Sequence, residues 1–149
     1  MPHALTFEIL PQAPSSKVLQ TWRKDAGWKA PVQANTLKHP NAIIHWARVM
    51  AGKHQAGIVR LELAPPEFCY VGDLIIASKF RGEGIGSWFL LAIEQYAGNL
   101  GIKRLVLQPE AGTEGFYAAR QFVSDPFVPS FLKKDLSPLQ RKRFLQRPA

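Results

Sequence analysis

Hydrophobic and polar positions alternate over Leu5–Leu10, and this period of two predicts a short first strand. Pro14-Ser15-Ser16 then opens a helix with a serine placed to cap it. Val18, Leu19, Trp22 and Ala26 recur at helical spacing, and Gly27 supplies the stop. Pro31 to Leu37 reads as a second short helix, closed by His39-Pro40. Ala42–Met50 is rich in Ile, Val and Trp and reads as a strand. Ala51-Gly52-Lys53-His54 forms a turn, and Gln55–Leu63 is the returning strand. In that strand Ile58, Arg60 and Glu62 alternate with Val59, Leu61 and Leu63, so the two sheet faces meet different surroundings. Pro65-Pro66 breaks it. Phe68–Ala77 follows, and its apolar end, Leu74-Ile75-Ile76-Ala77, suits a central strand buried on both faces.

A glycine-rich turn leads into a long helix from about Gly86 to Leu100. Ile85, Trp88, Phe89, Ala92, Ile93, Tyr96, Ala97 and Leu100 fall on it at steps of three and four, and Gly101 ends it. Lys103–Gln108 is a short strand and Glu114–Arg120 a short helix. Phe122–Val123 and Phe131–Lys134 close the chain as two strands around Pro126 and Pro129. The order predicts an α/β (α+β) fold, a single mixed sheet with helices packed on it. The strands at Phe68–Ala77 and Lys103–Gln108 flank the long helix, so they should run parallel through a right-handed crossover.

Composition narrows the class. The chain has 149 residues, 46% hydrophobic and 20% charged, which fits one globular domain and excludes a disordered chain. Cys69 is the only cysteine, so no intramolecular disulfide framework exists and a reducing compartment is expected. The longest dense apolar run, Trp88–Ile93, is far below the roughly 20 residues of a membrane span. No basic segment followed by an apolar stretch marks the N-terminus, so a soluble, cytoplasmic protein without a membrane partner is expected. His3, His39, His45 and His54 lack metal-ligand spacing, and no metal site is expected. Trp22, Trp28, Trp46 and Trp88 are expected in the core or a pocket wall.

The net charge of +8 is uneven. Lys133, Lys134, Arg141, Lys142, Arg143 and Arg147 face only Asp135 in the last stretch of chain, which therefore holds most of the excess. The reading is a domain over residues 1–136 followed by a basic tail over 137–149. A nucleic-acid partner is expected only through that tail.

The chemistry concentrates in Arg81-Gly82-Glu83-Gly84-Ile85-Gly86-Ser87, between a buried strand and a long helix. Glycines permit left-handed backbone, successive N–H groups can converge on one anion, and the helix N-terminus adds its dipole. A pyrophosphate is the natural guest. A Walker P-loop needs Lys-Ser or Lys-Thr after its last glycine, but Ser87-Trp88 stands here. A dinucleotide fingerprint needs G-x-G-x-x-G and an acid about 20 residues on, and the region near Gln108 offers only Glu110.

Arg81-x-x-Gly84-x-Gly86 does resemble the pyrophosphate loop of GNAT-type acyl-CoA N-acyltransferases. Asp73-Leu-Ile-Ile76 before it resembles that superfamily's central strand. Phe116-Tyr117-Ala-Ala-Arg120-Gln-Phe122 is similar to its F-Y-x-x-x-G-F segment, and Phe131-Leu-Lys-Lys-Asp-Leu136 to its last strand. The resemblance implies a mostly antiparallel sheet whose one parallel pair of strands splays apart to admit acyl-CoA. It implies backbone contacts from Leu74, Ile75 and Ile76 to the pantetheine arm. Arg81, Gly82, Glu83, Gly84, Ile85, Gly86 and Ser87 would hold the pyrophosphate. Acetyl-CoA would be the co-substrate, and an acetyl group would pass directly to a primary amine, expected to be a small molecule. A protein lysine, an aminoacyl-tRNA, or a non-catalytic CoA- or RNA-binding role for the tail are the alternatives. Tyr117 stands where the family's general acid stands. Polyamine-type members carry a Glu-Asp pair that here reads Gly72-Asp73, so the acid is kept and the usual base is missing. Asp73 is the candidate to take over, with Glu62, Glu67 or His54 acting through water as the other options. Gln121 replaces the usual Gly of the FY segment and Glu110 an Asn. Family members are often homodimers, and the sequence leaves that open.

Overall fold

Local signals explain most of the elements. The computed structural model describes residues 4–28 and 42–136. The expected helix at Pro31–Leu37 and the tail at 137–149 lie outside the described residues. β1 spans Leu5–Ile9 and α1 spans Ser16–Asp25. Ser15 caps α1, its hydroxyl accepting from the Val18 N–H at 3.2 Å, and Gly27 ends it with φ +79°. β2 (Ile43–Ala51), β3 (His54–Ala64) and β4 (Phe68–Ile76) form an antiparallel meander. α2 covers Ile85–Asn99, β5 Arg104–Leu107, α3 Glu114–Ala118, β6 Val123–Ser124 and β7 Leu132–Asp135.

The strands make one seven-stranded sheet in the order β1-β2-β3-β4-β5-β7-β6. Every neighbouring pair is antiparallel except β4 and β5, which run parallel as expected from the intervening helix. No helix among the described residues is long and apolar enough to cross a membrane.

The alternation in β3 separates two cores. Val59, Leu61 and Leu63 face the larger one, where Phe89, Leu90, Ile93 and Ala97 of α2 bury their side chains. Ile58 faces the other side with Trp46 and Ile75, under Leu19, Trp22 and Ala26 of α1 and Trp28 just beyond it. The buried stripe of α1 is rotated from the expected one. Val18 is exposed and Arg23 is buried, because positions 19, 22, 23 and 26 form the tighter i, i+3, i+4, i+7 row. Leu100, expected on the apolar side of α2, is instead largely exposed beyond its last turn.

Two lysines of the basic segment belong to the sheet. On β7, Lys134 reaches the buried Glu94 of α2 at 2.9 Å and Lys133 reaches Asp135 at 3.0 Å. Gln121 sits at φ +68°, in the left-handed region that favours glycine. Its presence where the related motif carries Gly is therefore a local strain. Gln121→Gly should raise stability by about 1 kcal/mol, read as a higher urea midpoint with unchanged slope.

Candidate functional site

The site follows from a gap in the sheet. β4 and β5 pair only at Cys69–Leu105 and Tyr70–Val106. Past Tyr70 the β4 edge has no strand beside it, and β5 ends at Leu107. A cleft of about 240 Å³ opens there, walled by β4 from Val71 to Ile76 on one side and by Leu107, Gln108, Glu110, Thr113 and Tyr117 on the other. Trp28, Arg60 and Arg81 complete its rim.

A bulge shapes the β4 wall. Arg60 lies opposite Gly72 and Ile58 opposite Ile75, so β4 carries one extra residue in this stretch. Asp73, at φ +50°, occupies it. Its carboxylate is buried at 8% exposure, and both oxygens accept guanidinium N–H groups. Arg23 of α1 donates from Nε to Oδ1 at 2.9 Å and from Nη2 to Oδ2 at 3.0 Å. Arg60 of β3 donates from Nη1 to Oδ2 in a short contact, and its Nε reaches Glu62 Oε2 at 3.3 Å. The Arg60 guanidinium lies directly over Gly72: a Cβ there would stand 2.2 Å from Nη2 and 2.7 Å from Cζ. Arginine thus fills the space that any side chain at position 72 would need. Trp46 stands 6.0 Å from Arg60 Cζ, within reach of a cation–π contact.

The far end of the cleft is built from backbone. Beyond a single 3₁₀ turn at Ser78–Phe80, Gly82 and Gly84 both take φ +80°. A Cβ at either would meet nothing within 4 Å, so conformation rather than crowding requires glycine there. Gly84 caps α2, and the first helical bond is Trp88 N–H to Gly84 carbonyl at 3.1 Å. The N–H groups of Ile85, Gly86 and Ser87 belong to the first turn, which has no acceptor inside the helix. Arg81 donates to the Ile76 carbonyl at 3.1 Å and to the Asp25 carbonyl at 3.2 Å. Its side chain therefore ties the loop to α1. Asp25 reinforces the tie by accepting from the Ser78 hydroxyl at 2.7 Å and the Ser78 N–H at 2.8 Å, bonds that hold its carboxyl below the usual range. Ser87 accepts from Arg120, whose guanidinium stacks 3.9 Å from the Phe116 ring centroid and bonds the Phe116 carbonyl at 2.7 Å.

Tyr117 and Glu110 occupy the opposite wall. Tyr117 is buried at the cleft, flanked edge-on by Phe116 and Phe122. Burial, followed by the charge of Glu110, pushes its phenol well above the ordinary tyrosine range, so it stays protonated at neutral pH. Glu110 is more open to solvent. Partial loss of water, then the charge of Asp73, raises its carboxyl above the ordinary glutamate value of 4.5.

The residues expected to hold the cofactor, together with Asp73 and Tyr117, lie along this one groove. Asp73, Leu74, Ile75, Ile76, Arg81 and Tyr117 line the cleft, while Gly82 to Ser87 form its continuation into the α2 N-terminus. Glu67 lies in the turn before β4, at its paired end, and His54 starts β3 against the Phe80 ring, so neither lines the cleft. Sequence reasoning missed Arg23 and the ion-paired role of Arg60. The signals were present: Arg23 falls on the apolar row of α1, and Arg60 shares a β3 face with Ile58.

Comparison with known proteins gives this geometry a family. The model of the acetyltransferase (GNAT) family matches residues 7–122. An assigned N-acetyltransferase of Lactobacillus plantarum superposes with a TM-score of 0.65 at 15% identity, over 90% of this chain and 99% of that one. The ribosomal-protein-S18-alanine N-acetyltransferase of Escherichia coli gives 0.61 at 11% identity, over 90% and 95%. The N-acetylglutamate synthase of Neisseria gonorrhoeae, complexed with coenzyme A and L-arginine, gives 0.61 at 16% identity, over 89% of this chain and 33% of its own. Among curated proteins none matches the sequence.

The buried charges set a stability test. Asp73→Asn leaves two guanidiniums buried against a neutral amide and should cost about 3–5 kcal/mol in urea unfolding. Gly72→Ala should also destabilise, by pushing Arg60 off Asp73.

Proposed function

Because the chain belongs to the GNAT acetyltransferase family, we propose that it transfers the acetyl group of acetyl-CoA directly to the nitrogen of a small primary amine. The observation that carries this reading is the continuous groove. An unpaired β4 edge runs from the acidic cleft into a glycine turn at the N-terminus of a long helix. The group fits on the chemistry of the donors present. The open edge of β4 at Leu74 and Ile75 offers peptide groups to an amide-bearing arm. The N–H groups of Gly82 to Ser87, with the α2 dipole, suit a pyrophosphate. Acetyl-CoA supplies the activated thioester.

The chain's own groups do the rest. Tyr117 holds a proton at the cleft wall and gives it to the departing sulfur. Its raised pKa means that this donor is not lost below the ordinary tyrosine range, near pH 10. Asp73 acts as a positioning residue. Both its oxygens are engaged, and through Arg23 and Arg60 it fixes α1 and β3 at the acceptor end. Trp28 and Tyr70 close that end, and the limited volume of the cleft favours a small acceptor over a folded one. The basic residues beyond position 136 lie outside the described residues, and none of the steps above calls on them.

Calorimetry with CoA and acetyl-CoA tests the reading, and absence of binding at millimolar cofactor would sink it. Gly84→Glu or Gly86→Glu should abolish the binding heat by setting a carboxylate at the pyrophosphate position. Tyr117→Phe should bind cofactor as the parent does yet turn over about 10²-fold more slowly.

A further inference from the structure

We propose that Glu110 is the residue that holds the cationic amine in the cleft and takes its proton. This rests on the acetyl-transfer reading above and supplies the base that the sequence left unassigned. Two carboxylates line the cleft among the described residues, Asp73 and Glu110. Asp73 is closed off by Arg23 and Arg60, which donate to both its oxygens. Glu110 has no such engagement. Its backbone carbonyl, not its carboxylate, takes the Thr113 N–H at 3.1 Å and the Thr113 hydroxyl at 2.6 Å. Those bonds fix the turn leading to α3 and leave the side chain at the wall shared with Tyr117.

Position and charge agree. Tyr70 and Asp73 from β4 and Tyr117 from α3 lie within electrostatic reach of Glu110, and Arg60 from β3 and Arg81 from the glycine turn line the same cleft. Glu114, near Glu110 in sequence, is turned back onto the Gly112 N–H at 2.9 Å. Arg23 and Arg60 are matched by Asp73 and Glu62, and Arg81 by Asp25, so among the described residues Glu110 gives the cleft its surplus negative charge. A protonated amine is the complementary guest. The carboxyl is also raised toward the working range by partial burial and by Asp73, as a base near neutral pH requires. Being open to solvent, it can pass its proton to bulk water.

The step balances. An N–H⁺ bond of the ammonium breaks and its proton goes to the Glu110 carboxylate. The freed lone pair forms the C–N bond to the thioester carbonyl carbon, and the C–S electron pair leaves on sulfur. Tyr117 protonates that sulfur and is restored by the second proton lost from nitrogen. One net proton reaches solvent through Glu110.

The experiment is a pH–rate profile of amine-dependent thiol release from acetyl-CoA, for the parent, Glu110→Gln and Glu110→Asp, with acetyl-CoA affinity measured beside it. The parent should show an acid limb above the ordinary glutamate range. Glu110→Gln should lose about 10²-fold in kcat, lose that limb, and climb instead toward the amine's own pKa near 10, with cofactor affinity kept. Glu110→Asp should recover part of the rate and the limb. A Glu110→Gln profile that matches the parent overturns the inference while leaving the acetyl-transfer reading intact. Loss of cofactor binding with an unchanged profile shape also overturns it, since Glu110 would then serve the cofactor. A parent that binds acetyl-CoA yet releases no thiol with any amine overturns the transfer reading itself.

Discussion

The carboxylate of Asp73, held between two buried guanidiniums, is the constraint around which this molecule is arranged. A buried charge left alone would cost several kcal/mol, so each partner must arrive in register. Arg23 brings α1 down onto β4. Arg60 crosses from β3 and needs the bare backbone of Gly72 beneath it. The bulge that carries Asp73 in turn displaces β4 from regular pairing with β3, just where β4 parts from β5. One ion cluster therefore fixes a helix, a glycine and a strand irregularity together. Such clusters contribute little net stability compared with apolar packing, but they tolerate few alternative arrangements.

The groove divides its work by chemistry. The end proposed for the cofactor offers peptide N–H groups and a helix terminus, whose direction is set by the backbone and does not depend on a titrating side chain. The end proposed for the acceptor offers side chains: Trp28, Tyr70, Arg60, Asp73 and Glu110. The tie from Arg81 to the Ile76 and Asp25 carbonyls, with Asp25 on Ser78, joins the two ends mechanically. α1 is held at both: through Arg23 at the acceptor end and through Asp25 at the glycine turn.

Much of this was legible in the residues. Alternation marked β1 and β3, Ile, Val and Trp content marked β2, a continuous apolar run marked β4, and the step of three and four marked α2 because one of its faces is buried. The turn Arg81–Ser87 was legible because positive φ at Gly82 and Gly84 demands a particular residue type. The parallel pairing of β4 and β5 followed from the helix between them. By contrast, Arg23 falls on the apolar row of α1 with no sign of its partner, and Glu62 and Arg60 read as the polar face of a half-exposed sheet. Nothing local says that both lie under 5% exposure. Glu110 looked like a replaced Asn in a loop, and the sequence carries no sign that a solvent-open carboxylate there would share a wall with Tyr117.

The sequence by itself determined the order of elements, the two kinds of face in β3, the glycine turn before α2 and the family to which the chain belongs, because these depend on short-range periodicity and on residue types with few substitutes. The tertiary structure alone decided which acid is sealed and which is open. That distinction depends on positions far apart in the chain: Arg23 is 50 residues from Asp73. A carboxylate's role is set by the charges and water around it, and these are fixed only when the elements meet in space.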